Sequence, residues 1–209
     1  RRQRKRAENP SRGSGTNLGA RLAVAIPAGL LALFCILNSS ETLAVFALVV
    51  GAIALHEFYV LAHRIQPIRL AGFLTLIALV GAGLWGDQFQ FAAVIAASFV
   101  VVFLLSAFTG PRENATFGMA TTLFGAFWIG IPLAYVLWLR KLPHGDMVII
   151  TILLGTFVGD TCAMFGGKLF GRTKMAPALS PNKTVEGLAC GILAAVLTIW
   201  SAGLYPDCI

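Results

Sequence analysis

The residues best suited to chemistry lie close together near the end of the chain, in Ser180-Pro-Asn-Lys-Thr-Val-Glu-Gly187. This segment combines a lysine, two hydroxyls and a carboxylate, and Asp160 adds a second carboxylate in an apolar, glycine-rich stretch upstream. Polar groups in or beside a membrane are costly unless they have a partner or a function. We therefore expect this cluster to bind a charged ligand.

The pair Ser180-Pro181 has the form of a helix start, with Ser as the N-cap and Pro as the first helical residue. Lys183 and Thr184 would then lie in the first turn, where free backbone N–H groups and the helix dipole favour anions. Together with the two hydroxyls, this turn suits phosphate oxygens. Glu186, three residues after Lys183, is expected to pair with it or to hold a cation.

Asp160 lies within an apolar run, where a carboxylate costs about 3 kcal/mol on insertion scales and must face a partner, a cavity or a cation. A functional role competes with a helix–helix hydrogen bond and with an ion pair to Lys168, two turns on. Small residues recur at every fourth position around Asp160 and again after Glu186, which predicts two closely packed helices. These stripes are Gly155, Gly159, Ala163, Gly167 and Gly171, and Gly187, Gly191 and Ala195.

The elements that must position these residues are membrane helices. Only 12% of the residues are charged, about half the share usual in soluble domains, and mean hydropathy is +0.81. Backbone that spans a bilayer must satisfy its own hydrogen bonds, so the fold class is an all-α, polytopic transmembrane helical bundle. We predict seven spans, of which the third is short: 20–38, 42–62, 71–86, 91–109, 117–139, 147–167 and 186–204.

The distribution of basic residues orients the chain. If the amino terminus is inside, then of the 16 Lys and Arg residues only Arg140 and Lys141 fall on the outer side, which is the positive-inside pattern. We predict a basic, disordered cytoplasmic tail over residues 1–17, resting on anionic lipid, and a transmembrane domain over 18–209. This distribution argues against a nucleic-acid partner, and the Cys and His residues lack the spacing of a disulfide framework or zinc site.

Three segments together resemble the phosphatidate cytidylyltransferases, or CDP-diacylglycerol synthases: Asp160-Thr-Cys-Ala-Met-Phe-Gly-Gly-Lys-Leu-Phe-Gly171, Lys174-Met-Ala-Pro177, and Ser180 to Gly187. Glu57-Phe-Tyr-Val-Leu61 on the second span is a weaker match, and Met164 stands where the family often has Tyr. The resemblance runs from about residue 18 onward. The family's carboxy-terminal signature, with further acidic residues, has no counterpart before Ile209, so we expect the remaining metal ligands beyond that residue.

The resemblance implies a reaction in which the phosphate of phosphatidate attacks the α-phosphorus of CTP, so that CDP-diacylglycerol forms and pyrophosphate leaves. It implies Mg²⁺ as the cofactor, with a second cation left open. It makes Asp160 a metal ligand and catalytic residue, and Lys183 the catalytic phosphate-binding residue. The implied partners are CTP, phosphatidate and membrane lipids, with a homodimer left open, in the inner or plasma membrane.

Further site residues follow from the same resemblance. The implied substrate-binding residues are Ser180, Asn182, Thr184, Glu186, Lys174 and Arg172. Glu186 is expected to orient Lys183. Glu57 is expected to be a buried carboxylate near the cytoplasmic end of the second span, as a structural partner or part of the polar cavity.

Three other functions stay open at this point. In a transporter or channel, Asp160 and Glu57 would line an ion path, although the chain lacks the matched halves that this architecture favours. A related lipid-headgroup enzyme, such as an isoprenoid-alcohol kinase or a cytidylyltransferase for archaeal-type lipids, would use the same phosphate-binding groups. A non-catalytic membrane fragment would use the glycine stripes for packing alone.

Overall fold

The computed structural model describes residues 17–108, 115–177 and 180–203. Within these residues the chain forms seven α-helices, one short 3₁₀ turn and one β-hairpin. The helices are α1 Asn17–Asn38, α2 Ser40–Leu61, α3 Arg69–Trp85, α4 Gln88–Phe108, α5 Ala115–Arg140, α6 Gly145–Phe170 and α7 Val185–Gly203. The seven predicted spans are confirmed as helices. The predicted basic tail lies outside the described residues except for Asn17.

The helices make this a multi-pass membrane protein. Five of those described, α2, α4, α5, α6 and α7, are long and apolar enough to cross a bilayer. The helix α3 has 17 residues and is therefore about 25 Å long, shorter than the roughly 30 Å hydrocarbon core. This agrees with the expectation of a short third span.

The helices α2, α3 and α5 form the centre of a bundle, with α1 and α4 on its outside. Its core is built from large side chains, including Leu55, Tyr59 and Leu76, which are almost fully buried. The Tyr59 hydroxyl donates a 2.8 Å hydrogen bond to the carbonyl of Thr122. The Thr122 hydroxyl in turn accepts from the backbone N–H of Ile68 at 2.8 Å. These bonds join the start of α3 and the first third of α5 to α2.

The two basic residues predicted on the outer side both contact helix ends. Arg140 Nε donates a 2.8 Å hydrogen bond to the carbonyl of Ile36, in the last turn of α1. Lys141 Nζ lies 3.5 Å from the carbonyl of Gly86, just after α3. Carbonyls at a helix C-terminus lack intrahelical partners and attract cations, so a structural role accounts for both residues.

The helices α6 and α7 pack closely against each other through small residues, and we refer to them as the α6–α7 pair. A Cβ atom placed on Gly187 would lie 2.7 Å from the carbonyl oxygen of Ala163, and one on Gly191 would lie 2.8 Å from the Ala163 Cβ. A Cβ on Gly159 would lie 3.2 Å from that of Ala195. The predicted packing of the two stripes is confirmed.

Candidate active site

The segment Ser180–Thr184 is a β-strand and not the first turn of a helix. It forms β2, which pairs antiparallel with β1, Lys174–Ala176, in a β-hairpin between α6 and α7. The prediction of a helix start at Ser180-Pro181 is therefore wrong. The backbone of this segment pairs with β1, which lies several residues upstream, instead of forming a helical turn. The Ser-Pro pair did not exclude this outcome, because Pro also occurs near the start of edge strands.

The helix α7 starts at Val185, directly after Thr184. The Thr184 hydroxyl accepts a 3.2 Å hydrogen bond from the backbone N–H of Gly187, which is the bond that an N-cap side chain makes. Thr184 is only 8% exposed. The cap thus lies four residues later than predicted, and Lys183 precedes the helix.

Glu186 binds backbone groups of the preceding loop. Its carboxylate accepts hydrogen bonds from the N–H of Arg172 at 3.1 Å and from that of Thr173 at 3.1 and 3.2 Å. The expectation that Glu186 pairs with Lys183 is wrong, because the loop after α6 approaches the start of α7 closely enough to occupy the carboxylate.

A cavity of about 860 Å³ lies between the β-hairpin, the C-terminal half of α6 and the first turn of α7, and we call it the site cavity. Most of the predicted site residues line it: Asp160, Lys174, Ser180, Asn182, Lys183 and Thr184. Arg172 and Glu186 instead line an adjacent depression with Leu169 and Phe170.

Glu57 is not part of the site cavity. Its side chain is exposed on α2, while its neighbour Tyr59 is fully buried in the bundle. The expectation of a buried carboxylate is wrong because Phe58 and Tyr59, and not Glu57, face the other helices.

The polar side of the site cavity is cationic. Ser180, Asn182 and Thr184 occupy alternate positions of β2, which places them on one face of the strand. Lys174 pairs in register with Thr184. With Lys183 included, the lining cations outnumber the single lining carboxylate, so the cavity suits an anion with several oxygen atoms.

Lys168 is a lining residue that was not among the predicted site residues. It lies two turns after Asp160 on the same helix, a spacing that puts both on one face. The alternative interpretation of an ion pair between them is not realised among the described residues, where Asp160 is exposed. The shared helix face could have identified Lys168 as a site residue.

The other side of the site cavity is apolar. Met164 on α6 and Leu188 on α7 both line it and are 50% and 47% exposed. Both helices are candidate membrane spans, so these exposed side chains adjoin the lipid. A ligand with a charged head and an apolar body fits such a boundary.

The donor set bears on metal binding. No group of three or more His, Cys, Asp or Glu side chains suited to a metal ion occurs among the described residues. Asp160 nevertheless shares the cavity with the Ser180 hydroxyl and the Asn182 amide. Mg²⁺ prefers oxygen ligands and commonly binds through one or two carboxylates plus substrate phosphates. The residues present therefore fit Mg²⁺ brought in with a nucleotide, rather than an ion enclosed by protein alone.

Comparisons with known proteins agree on one family. The sequence profile of the cytidylyltransferase family matches residues 19–205. A phosphatidate cytidylyltransferase of Staphylococcus epidermidis is 31% identical over 195 residues, which cover 90% of this chain and 72% of the relative. Proteins of the same name from Staphylococcus haemolyticus and Staphylococcus aureus are 31% and 28% identical, each over 85% of this chain and 68% of the relative.

Proposed function

This chain belongs to the cytidylyltransferase family, and we infer from this membership that it is a membrane enzyme of phospholipid biosynthesis. It transfers the cytidylyl group of CTP to phosphatidate, forming CDP-diacylglycerol and pyrophosphate. The observation that carries this conclusion is the match over residues 19–205, which includes the whole site cavity.

In this reaction an oxygen of the phosphatidate phosphate forms a bond to the α-phosphorus of CTP. The bond from that phosphorus to the bridging oxygen of the β-phosphate breaks, and pyrophosphate leaves with the electron pair. The nucleophile is already an anion and needs no base. The protein must therefore align two anions and offset their charge, which fixed donors in a water-poor site do well.

We assign these tasks to residues of the site cavity. Lys183 and Lys174 bind phosphate oxygens as cations, while the Ser180 hydroxyl and the Asn182 amide donate hydrogen bonds to them. Asp160 would hold Mg²⁺, which, when bound, neutralises charge on the triphosphate. Lys168 adds a further cation to the lining of the site cavity.

The apolar side of the site cavity suggests how the lipid substrate reaches the site. We propose that phosphatidate enters sideways from the bilayer past Met164 and Leu188, so that its phosphate meets the lysines while its acyl chains stay among lipid. The exposure of both side chains next to the polar lining supports this route.

We also propose that the β-hairpin and the amino terminus face the cytoplasm, in the cell membrane. The positive-inside pattern supports this orientation, as do the structural contacts of Arg140 and Lys141, which explain the basic residues on the other side. CTP is made in the cytoplasm and would reach the hairpin directly. A homodimer remains a prediction.

The test is the reaction itself. Purified full-length protein in lipid–detergent micelles is given labelled CTP, Mg²⁺ and phosphatidate, and the lipid products are separated and weighed by mass spectrometry. We expect labelled CDP-diacylglycerol and an equal amount of pyrophosphate. A parallel reaction supplies an isoprenoid alcohol in place of phosphatidate. Phosphorylation of that alcohol, without any nucleotide lipid from phosphatidate, would contradict the proposal.

A further inference from the structure

The chain bends between α6 and β1 at Gly171–Thr173, and we call this segment the reversal. The end of the hairpin and the start of α7 contact this reversal through backbone and side chain. The N–H of Val185 donates a 3.0 Å hydrogen bond to the carbonyl of Thr173. The Glu186 carboxylate accepts from the N–H groups of Arg172 and Thr173. The first two residues of α7 therefore bind both a carbonyl group and two N–H groups of the reversal.

These bonds determine where the first strand of the hairpin starts. Lys174 directly follows Thr173 and is the register partner of Thr184, which in turn directly precedes Val185. Fixing the reversal against α7 thus fixes Lys174 opposite the end of β2. Lys174 and Lys183 then line the same cavity from two different strands.

Glu186 fixes the position of the reversal without lining the site cavity itself. It lines the adjacent depression together with Arg172 and Gly171 and is absent from the lining of the site cavity. Hydrogen bonds to an ionised carboxylate are roughly twice as strong as those between neutral groups. They are made here to two N–H groups that lie outside any helix or strand and would otherwise need water.

We propose that Glu186 is a positioning residue, which holds the reversal against α7 and thereby sets the position of Lys174 relative to Lys183 and Asp160. The inference rests on the proposed function for its effect on CTP binding. The hydrogen bonds themselves do not depend on that function.

The first test is limited trypsin digestion of purified wild type, Glu186→Gln and Glu186→Ala. Arg172 and Lys174 are exposed trypsin sites that flank Thr173. We expect cleavage there to be about tenfold faster in Glu186→Ala, because the opened state is more populated when the bonds are lost. One oxygen of Glu186 already accepts from both N–H groups. The Gln variant keeps one oxygen but loses the charge, so its cleavage rate should lie between those of wild type and Glu186→Ala. Equal cleavage rates in all three proteins would overturn the proposal.

The second test separates positioning from direct contact with substrate. In the cytidylyl-transfer assay, Glu186→Ala should raise the KM for CTP about tenfold with a smaller change in kcat, as expected for a displaced binding group. Glu186→Gln should restore the KM to within a few-fold of wild type. If Gln raises the KM as much as Ala although it protects the reversal from trypsin, the negative charge acts on metal or substrate directly and the proposal is wrong. An inactive wild type would contradict the proposed function alone, since the digestion rates still decide the role of Glu186.

Discussion

The bundle and the α6–α7 pair differ in the size of the side chains that fill their helix contacts. In the bundle, the buried residues of α2 and α3 include large side chains such as Leu55, Tyr59 and Leu79. In α7, the buried residues are Gly187 and Gly191, and in α6 glycine is again the dominant buried type. In the bundle, large side chains pack against small residues of α5, as Tyr59 does against Gly125. In the α6–α7 pair, small residues on both helices let the two backbones approach closely.

This difference matters for function because the described lining of the site cavity comes from the α6–α7 pair and from the β-hairpin that connects its two helices. Glycine contacts bring two backbones together and leave the larger side chains free to face outward. Asp160, next to the buried Gly159, is such a side chain, and so is Leu188, next to the buried Gly187. The bundle then serves as a scaffold beside the site.

The largest expected effect is on Asp160. In Asp160→Asn the carboxylate that would hold Mg²⁺ is lost, and we expect the rate of CDP-diacylglycerol formation to fall about 10²–10³-fold. The measurement is the initial rate at saturating CTP and phosphatidate. The matched control is Asp146→Asn, a change in the first turn of the same helix, far from the site cavity, which should leave the rate unchanged. Wild-type rates in Asp160→Asn would refute the site assignment.

The next effect is on Lys183. In Lys183→Ala a charge-assisted contact to phosphate is lost, so kcat/KM for CTP should fall about a hundredfold. Lys141→Ala is the control, because its ammonium lies 3.5 Å from the carbonyl of Gly86, near the start of α6 and so at the opposite end of that helix from the site cavity. Equal losses in the two variants would mean that overall charge, and not the site cavity, controls nucleotide binding.

Several of these features could be predicted because they depend on local sequence. Apolar runs of about 20 residues require helices, since spanning backbone has no other partner. Small residues at every fourth position lie on one helix face. The predicted packing of the two stripes is therefore realised, for example where Gly159 meets Ala195.

The features that were missed depend on partners distant in the chain. The local Ser-Pro pattern did not reveal that Ser180–Thr184 pairs with β1, or that the Glu186 carboxylate binds the N–H groups of Arg172 and Thr173. The helix α2 is apolar on all sides, so its sequence did not indicate that Glu57 is exposed while Tyr59 is buried.

A smaller effect, on stability, is expected when a methyl group is added at the helix contact of the α6–α7 pair. In Gly187→Ala the new methyl group would meet the carbonyl oxygen of Ala163 at 2.7 Å and the Cα of Gly167 at 2.9 Å, both backbone atoms. The helices must move apart, which should lower stability by about 1–3 kcal/mol. The control is Gly81→Ala on α3, where a Cβ meets nothing within 4 Å, and the melting temperature should hold or rise. Similar melting temperatures for the two variants would argue against backbone packing in the α6–α7 pair.

The smallest effect is expected in the bundle. Tyr59→Phe removes the hydroxyl that donates to the Thr122 carbonyl and leaves a buried acceptor without this donor, at a cost of about 1–2 kcal/mol. The control is Tyr135→Phe, because Tyr135 is 51% exposed on α5, and its melting temperature should stay near that of wild type.

For Tyr59→Phe we expect a lower melting temperature with kcat unchanged at temperatures where the protein stays folded. The described lining of the site cavity includes no residue of the bundle. A change in the bundle should therefore lower the stability of the protein without lowering the rate of the folded enzyme. A fall in kcat well below the melting transition would mean that α2 and α5 transmit strain to the α6–α7 pair. Packing in the bundle would then be coupled to the geometry of the site cavity.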